Sequence, residues 1–247
     1  MTNKKSEEIK EMSKYIDIST YDEAEATHPF YGEMVSEMIG QIRKTSAGKR
    51  SKLLELGAGT GLFTRELLKL PNLIIDALEI DGECYSYLGH KFGEQKINLI
   101  QGDAVFHSKE GHYDIIASCF AHDHTSSFGT RLDFSKTLAK NLAPGGIYVV
   151  GQEIIPKFSN MEERRRALRT FQGYIVWQAI QDGHEEVAGL ELASLKSAVD
   201  ETGDWKRHME MFEEEMRHAG LKEIFRKKMG PADRDDIGGV YVFVYRK

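Results

Sequence analysis

The sequence predicts an α/β fold in which most strands run parallel in one sheet. The first observation is an apolar run, Leu53–Leu56, followed by a glycine cluster and a helical pattern, which is the order of a buried strand, a tight turn and a helix. The second is that further apolar runs follow along the chain with helical sequence between them. Right-handed βαβ connections between such strands place the linking helices on both faces of the sheet.

The chain before the first strand is predicted to be mainly helical. Residues 3–14 carry alternating charges, and Glu33–Lys44 places Met34, Met38 and Ile42 on one stripe. The segment between these two helices has little periodicity and holds several rings, at Tyr15, Tyr21, His28, Phe30 and Tyr31. We expect these rings to close as a lid over a binding site at the sheet, to pack against the outer helices, or to divide between the two roles.

Five strands and three linking helices are predicted in the central part of the chain. The strands lie at residues 53–56, 72–80, 97–101, 113–120 and 141–150. The helices lie at residues 60–69, 82–89 and 132–141. The second strand ends in Glu79, and the third runs into Gly102 and Asp103. Since parallel strands end at the same edge of a sheet, we expect both carboxylates at that edge.

An insertion of helical sequence, residues 155–203, is predicted after the fifth strand. Its apolar residues recur at helical spacing, and two further rings widen the apolar face: Leu168, Phe171, Ile175 and Ala179, with Tyr174 and Trp177. A face this broad is expected to be buried. A roof over the carboxyl edge of the sheet is favoured over packing beside it, because the insertion leaves the sheet from that edge. Residues 164–166, all arginine, are expected on a solvated face.

One further helix and two strands are predicted in the last part of the chain. Asp204 is a candidate N-cap and Gly220 a candidate C-terminal stop. Between them an apolar stripe is formed by Trp205, Met209, Phe212, Met216 and Ala219. Residues 222–229 and 240–245 are expected to be the sixth and seventh strands.

Length and composition favour a single α/β domain over the whole of residues 1–247, with residues 1–48 as a helical or lid segment and residues 155–203 as a substrate cap. The formal charge of −6 argues against nucleic acid as a partner. The two cysteines, Cys84 and Cys119, provide no disulfide framework and no Cys-x-x-Cys metal motif. We find no apolar signal-peptide core at residues 1–8 and no apolar run of membrane-spanning length, so a cytoplasmic location is expected.

The glycine cluster indicates a site for an adenosine-containing cofactor. Gly57, Gly59 and Gly61 let a ligand approach the backbone, and the helix start that follows offers free N–H donors. A dinucleotide fingerprint would need glycine at the position of Leu62, which makes a nicotinamide oxidoreductase the weakest alternative. Glu55, two residues before the first glycine, is placed to accept hydrogen bonds from an ammonium group.

The pattern Glu-x-Gly-x-Gly-x-Gly at residues 55–61 resembles the first motif of the class I S-adenosylmethionine-dependent methyltransferases, and the later strands fall where that family has them. The resemblance implies a Rossmann-like sheet of seven strands with an antiparallel last strand, and S-adenosylmethionine as cofactor. It implies that Glu79 binds the ribose and Asp103 the adenine amino group. The implied cofactor-binding residues are Glu55, Gly57, Ala58, Gly59, Thr60, Glu79, Ile80, Asp103, Ala104 and Cys119.

Candidate catalytic side chains follow the fourth and fifth strands, at His122, His124 and Glu153. In this fold residues after the fourth strand face the transferred methyl group, and an imidazole takes up a proton near neutral pH. An alternative is a metal site, since His-x-His in an extended segment projects both rings to one side. Its third ligand would be His107, His112 or Glu153. Simple loop capping by the two rings is the third possibility, and the prediction we adopt includes no metal.

The expected function is methyl transfer to nitrogen, oxygen or carbon of a small, partly apolar or aromatic metabolite. The insertion after the fifth strand also resembles that of enzymes modifying the tRNA wobble uridine, so a tRNA-modifying enzyme is one alternative. A non-catalytic cofactor-binding or partner-binding module is another. The sequence is compatible with a monomer and with a homodimer.

Overall fold

In the computed structural model, which describes residues 10–14, 16–93, 95 and 97–247, one sheet of eight strands forms the centre. The strands are β1 Ser51–Leu56, β2 Leu73–Glu79, β3 Ile97–Gln101, β4 Tyr113–Cys119, β5 Leu142–Ile155, β6 Arg207–His208, β7 Lys222–Gly230 and β8 Gly239–Arg246. Their order is β3-β2-β1-β4-β5-β8-β7, and the short β6 pairs with the end of β5.

Strand directions confirm the predicted fold class. The pairs β1–β2, β1–β4, β2–β3 and β4–β5 are parallel. The last strand, β8, runs antiparallel to both β5 and β7. The carboxyl ends of β1, β2 and β4 therefore meet at one edge, where the glycine turn lies.

Helices cover both faces of this sheet. They are α1 Ile18–Glu25, α2 Tyr31–Ser46, α3 Leu62–Leu67, α4 Gly82–Phe92, α5 His122–Thr125, α6 Arg131–Asn141, α7 Met161–Gln181, α8 Glu185–Asp200 and α9 Met209–His218. The helix predicted over residues 3–14 lies largely outside the described residues, and its described end is a single 3-10 turn at Met12–Lys14. Among the described residues, every helix is too short or too polar to cross a membrane.

Neighbouring residues of β1 show how the two faces are filled. Leu53 belongs to a core cluster that includes Met38 of α2 and Phe171 of α7. Leu54 points the other way, into a cluster with Phe134 of α6 and Phe212 of α9. Because side chains alternate along a strand, this buried central strand needs apolar residues at successive positions, and its sequence has them.

The helix predicted to begin at Asp204 begins later. Asp204 is fully buried and its carboxylate accepts a hydrogen bond from Ser194, so it does not cap a helix. The residues that follow extend along β5 as β6, and α9 starts at Met209 with His208 as its side-chain cap. Gly220 has φ +74° just after this helix, as expected of a C-terminal stop.

The insertion consists of α7 and α8. The predicted α7 stripe at Leu168, Phe171, Ile175 and Ala179 is fully buried. The extension of that face to Trp177 is wrong, because this ring is 55% exposed. The solvated arginine face is wrong at Arg164, which is fully buried, donates to the Ala198 carbonyl at 2.7 Å and lies over the Phe128 ring. Its guanidinium donates to carbonyl groups and lies 3.7 Å from the Glu201 carboxylate, which pairs the buried charge.

Candidate functional site

The glycine turn after β1 depends on the absence of side chains. Gly57, Gly59 and Gly61 have φ of +64°, +54° and +84°. A Cβ on Gly57 would lie 2.6 Å from that of Ala121, and a Cβ on Gly61 would lie 2.3 Å from the Phe92 ring. Both positive φ and close packing therefore require glycine at Gly57 and Gly61.

Glu79 lies at the end of β2 and bonds to this turn. One carboxylate oxygen accepts from the Gly59 N–H at 2.6 Å and the other from the Asp81 N–H at 2.8 Å. Burial raises the pKa of Glu79 despite these hydrogen bonds. Asp103, just past β3, accepts from Lys10 at 2.8 Å and from the Val105 N–H at 2.9 Å. Two carboxylates thus lie at neighbouring strand ends, as the sequence indicated.

Glu55 is only 2% exposed and accepts a hydrogen bond from the Thr64 hydroxyl at 2.7 Å. Burial raises the pKa of Glu55 to about 8. A carboxyl group of this kind becomes more acidic when a cation binds beside it. Its environment therefore suits the ammonium group of a cofactor.

All of the predicted cofactor-binding residues line one cavity, which encloses about 1370 Å³ including its open mouth. They are Glu55, Gly57, Ala58, Gly59, Thr60, Glu79, Ile80, Asp103, Ala104 and Cys119. Side chains at the ends of β4 and β5 and on α8 line the same cavity, so the predicted cofactor-binding residues share one space with further polar groups.

The segment before α2 covers part of this cavity. Tyr21, His28 and Tyr31 line it, and Asp22 of α1 bonds to Thr60 in the glycine turn and to Lys91. Phe30 instead occupies the space that a side chain on Gly230 would need. The predicted ring at Tyr15 lies outside the described residues. The rings thus divide between the cavity and the outer packing.

His122 does not face the cavity. Its side chain is fully buried, with Nδ1 2.8 Å from the Tyr148 hydroxyl and Nε2 3.1 Å from Glu215. The rings of Phe134 and Phe212 pack edge-on against it. Burial lowers the pKa of His122 even though Glu215 opposes this shift. Both ring nitrogens are engaged inside the core, and His122 is not among the residues that line the cavity.

His124 does line the cavity, and its Nδ1 lies 2.7 Å from the Gly203 carbonyl. The segment carrying His122 and His124 forms the short helix α5 rather than an extended strand, so the two rings have separate surroundings. The geometric premise of the His-x-His metal site is therefore wrong. His107 and His112 pack around Tyr113 and do not contribute to this cavity.

Glu153 lines the cavity among ionisable groups to which the sequence assigned no chemical role. Lys206 donates to its Oε2, and His28 Nε2 lies 3.4 Å from its Oε1. Glu25 and Glu191 line the same region, and burial raises the pKa of Glu25 to about 7. These groups come from α1, α8 and the segment before β6, so no local motif links them. His28 and Lys206 lie outside the helices and strands, so periodicity does not mark them.

Residues 54–150 match the family model described as a methyltransferase domain. The chain is 31% identical over 114 residues to malonyl-[acyl-carrier protein] O-methyltransferase from Priestia megaterium, covering 46% of this chain and 40% of that protein. It is 29% identical over 136 residues to putrescine N-methyltransferase 1 from Nicotiana tabacum, covering 49% of this chain and 35% of that protein. The chain thus spans less than half the length of these curated relatives.

Two solved structures share the fold. One is a cyclopropane synthase from Mycobacterium tuberculosis, with a TM-score of 0.60, 16% identity and coverage of 86% of this chain and 82% of that one. The other is the 1,6-didemethyltoxoflavin-N1-methyltransferase from Burkholderia thailandensis, with a TM-score of 0.57 and 12% identity. This match covers 93% of this chain and 84% of that one. Residues 54–150 thus resemble a methyltransferase domain, and the sheet order and the glycine turn are those expected of the class I S-adenosylmethionine-dependent methyltransferases.

Proposed function

We propose that this chain transfers a methyl group from S-adenosylmethionine to a nitrogen, oxygen or carbon atom of a small molecule. The observation that carries the proposal is the composition of one cavity. One part is lined by the glycine turn, Glu79 and Asp103, and another by Phe120, His124 and Glu153. A donor in the first part would share an enclosed space with an acceptor in the second.

Several side chains fit the cofactor. Glu55 would hold its ammonium group, because a buried carboxylate beside the cavity gains a cationic partner there. Glu79 would accept from the ribose hydroxyls and Asp103 from the adenine amino group, as the family resemblance implies. Bound S-adenosylmethionine supplies an electrophilic methyl group on a sulfonium.

The chain's own contribution is then mainly orientation and the exclusion of water. Correct placement of reacting groups lowers a barrier by about 7–11 kcal/mol in favourable cases. Tyr21 and Tyr31 line the cavity from the N-terminal side, and Phe120 lines it from the end of β4. Phe120 has φ +52°, a conformation that costs a non-glycine residue about 1–3 kcal/mol and is concentrated at functional sites.

His124 is the best-placed group to accept a proton from an acceptor. The Gly203 carbonyl can only accept a hydrogen bond, so the ring donates Nδ1–H to it. Nε2 of the neutral ring then carries the lone pair. A general base of this type contributes about 10²- to 10⁴-fold to a rate.

The acceptor class rests on the cavity and on the relatives. The malonyl-[acyl-carrier protein] and putrescine methyltransferases are named for different acceptors, one methylated at oxygen and the other at nitrogen. This supports small-molecule methylation in general and favours neither atom. The acidic charge of the chain favours a small acceptor over RNA.

The test is methyl transfer from labelled S-adenosylmethionine to a panel of small amines, phenols and carboxylic acids. We expect turnover with at least one class. His124→Ala should reduce turnover by about 10²-fold or more while the affinity for S-adenosylhomocysteine stays unchanged. Equal turnover in the wild type and His124→Ala would show that His124 does not act as the base. Failure of the wild type to bind S-adenosylhomocysteine would overturn the proposed function itself.

A further inference from the structure

We propose that His28, Glu153 and Glu191 bind a divalent transition-metal ion in the acceptor part of the cavity. His28 lies between α1 and α2, Glu153 is near the end of β5, and Glu191 is on α8. One ligand atom from each lies within 4.8 Å of the other two. The three residues are 5%, 5% and 8% exposed, and all line the cavity.

Atoms of all three side chains are buried without a hydrogen-bond partner. These atoms are His28 Nε2, Glu153 Oε1 and Glu191 Oε2. His28 Nε2 lies 3.4 Å from Glu153 Oε1 and 3.4 Å from Glu191 Oε1, the second oxygen of that carboxylate. Both distances are longer than an ordinary N–H···O hydrogen bond. Leaving such groups unpaired is unfavourable, and more so when they are charged. A cation among these atoms would pair with all three side chains.

The tautomer of His28 supports a ligand role. Its Nδ1 lies 2.9 Å from the Pro29 carbonyl, which can only accept, so Nδ1 carries a hydrogen. Burial opposes the shift, but Glu153 and Glu191 raise the pKa of His28 well above its ordinary value, so without a metal Nε2 also carries a hydrogen, which a metal ion would displace. Histidines that bind metals commonly donate their other N–H to a carbonyl or carboxylate in this way.

The charges around the three side chains also favour a divalent ion. Lys206 pairs with Glu153 and lies 3.1 Å from Asp204. Once a metal has displaced the Nε2 proton, the carboxylates of Glu153, Glu191 and Asp204 against the one ammonium of Lys206 leave two negative charges. Glu25 adds part of a further charge beside them, since burial raises its pKa to about 7. Lys206 occupies Oε2 of Glu153 and leaves Oε1 available. A divalent ion would bring this buried set to neutrality, which lowers the cost of burying it.

The ligand types and spacing favour zinc. One imidazole with two carboxylates suits zinc or a related first-row ion better than calcium, which prefers oxygen ligands alone. A tetrahedral ion with ligand bonds of about 2.0–2.2 Å holds its ligand atoms about 3.3–3.6 Å apart. The two separations from His28 Nε2 are 3.4 Å. If the proposed function holds, such an ion would bind a hydroxyl oxygen of the acceptor and lower the pKa of that hydroxyl.

The experiment is a calorimetric titration of the metal-stripped full chain with Zn²⁺, without any methyl donor. We expect one site per chain in the wild type, and affinity reduced by about 100-fold or more in His28→Ala and in Glu191→Gln. His90→Ala, which removes an exposed ring outside the cavity, should leave the site intact. Cooperative thermal unfolding, followed by circular dichroism, reports whether each variant is folded.

Absence of a one-to-one site in the wild type would overturn the proposal and would make His28 an imidazolium held between two carboxylates. Unchanged zinc affinity in both ligand variants would do the same. If a variant does not fold, Co²⁺ bound to the wild type is decisive, because its spectrum must show nitrogen ligation by one histidine. None of these results depends on methyl transfer, so failure here and failure of the proposed function are distinguishable.

Discussion

The carboxyl group of Glu55 makes cofactor affinity depend on pH. Burial raises its pKa to about 8, so the group is mostly protonated at neutral pH when the cavity holds no cation. Pairing with an ammonium requires the ionised form. Binding of the cofactor should therefore release a proton, and affinity should rise as pH rises toward that pKa.

Calorimetric titration with S-adenosylhomocysteine between about pH 6 and pH 7.5 measures this dependence. In the wild type we expect the affinity to increase by close to tenfold per pH unit below the pKa. Glu55→Gln keeps the shape and the hydrogen bond with Thr64 but cannot ionise, so its affinity should be lower and nearly independent of pH. An equal slope in both proteins would contradict the pairing of Glu55 with the ammonium.

Among the secondary-structure elements, α5 is held by a buried network from the last third of the chain. Arg207 of β6 is fully buried and donates to Ser126, to the Asp123 carboxylate and to Glu215 of α9. Glu215 also lies 3.1 Å from His122. Because both ends of the segment carrying His124 are fixed in this way, that ring is held at the cavity.

His122 should therefore matter for stability and not for chemistry. His122→Ala removes a buried ring and its hydrogen bonds, and we expect a loss of about 2–4 kcal/mol in the free energy of unfolding. Denaturant unfolding measures this loss. Turnover per folded molecule should stay within a few-fold of the wild type, in contrast to His124→Ala. A large loss of turnover at unchanged stability would instead indicate that His122 takes part in the reaction.

At the scale of the whole molecule, the sheet and the cofactor side of the cavity were predictable because their signals are local. Apolar runs mark the buried strands, and the glycine spacing of the turn reflects its φ angles and the close approach of Ala121 and Phe92. The acids Glu79 and Asp103 each follow a strand. Parallel pairing alone brings such positions to one edge.

The acceptor side was less predictable because its contacts join distant parts of the chain. Lys206 and Glu153 are 53 residues apart, and His28 reaches both Glu153 and Glu191 from the N-terminal segment. Helical periodicity identified the buried stripe of α7 but not the burial of Arg164, whose partners are the carbonyl groups of Ala198 and Asp204 and the carboxylate of Glu201. Composition shows that a charge is present, and only the tertiary fold shows what neutralises it.

The most direct test of the cavity as a cofactor site is calorimetric titration with S-adenosylhomocysteine of the wild type, Glu79→Ala and Glu83→Ala. Glu79 bonds to the glycine turn, whereas Glu83 is an exposed acid four residues along the chain and serves as the matched control. We expect one site in the wild type and in Glu83→Ala, and affinity lower by about tenfold or more in Glu79→Ala, because charge-assisted hydrogen bonds contribute about 1.5–3 kcal/mol. No binding by the wild type, or equal binding by all three proteins, would contradict the assignment.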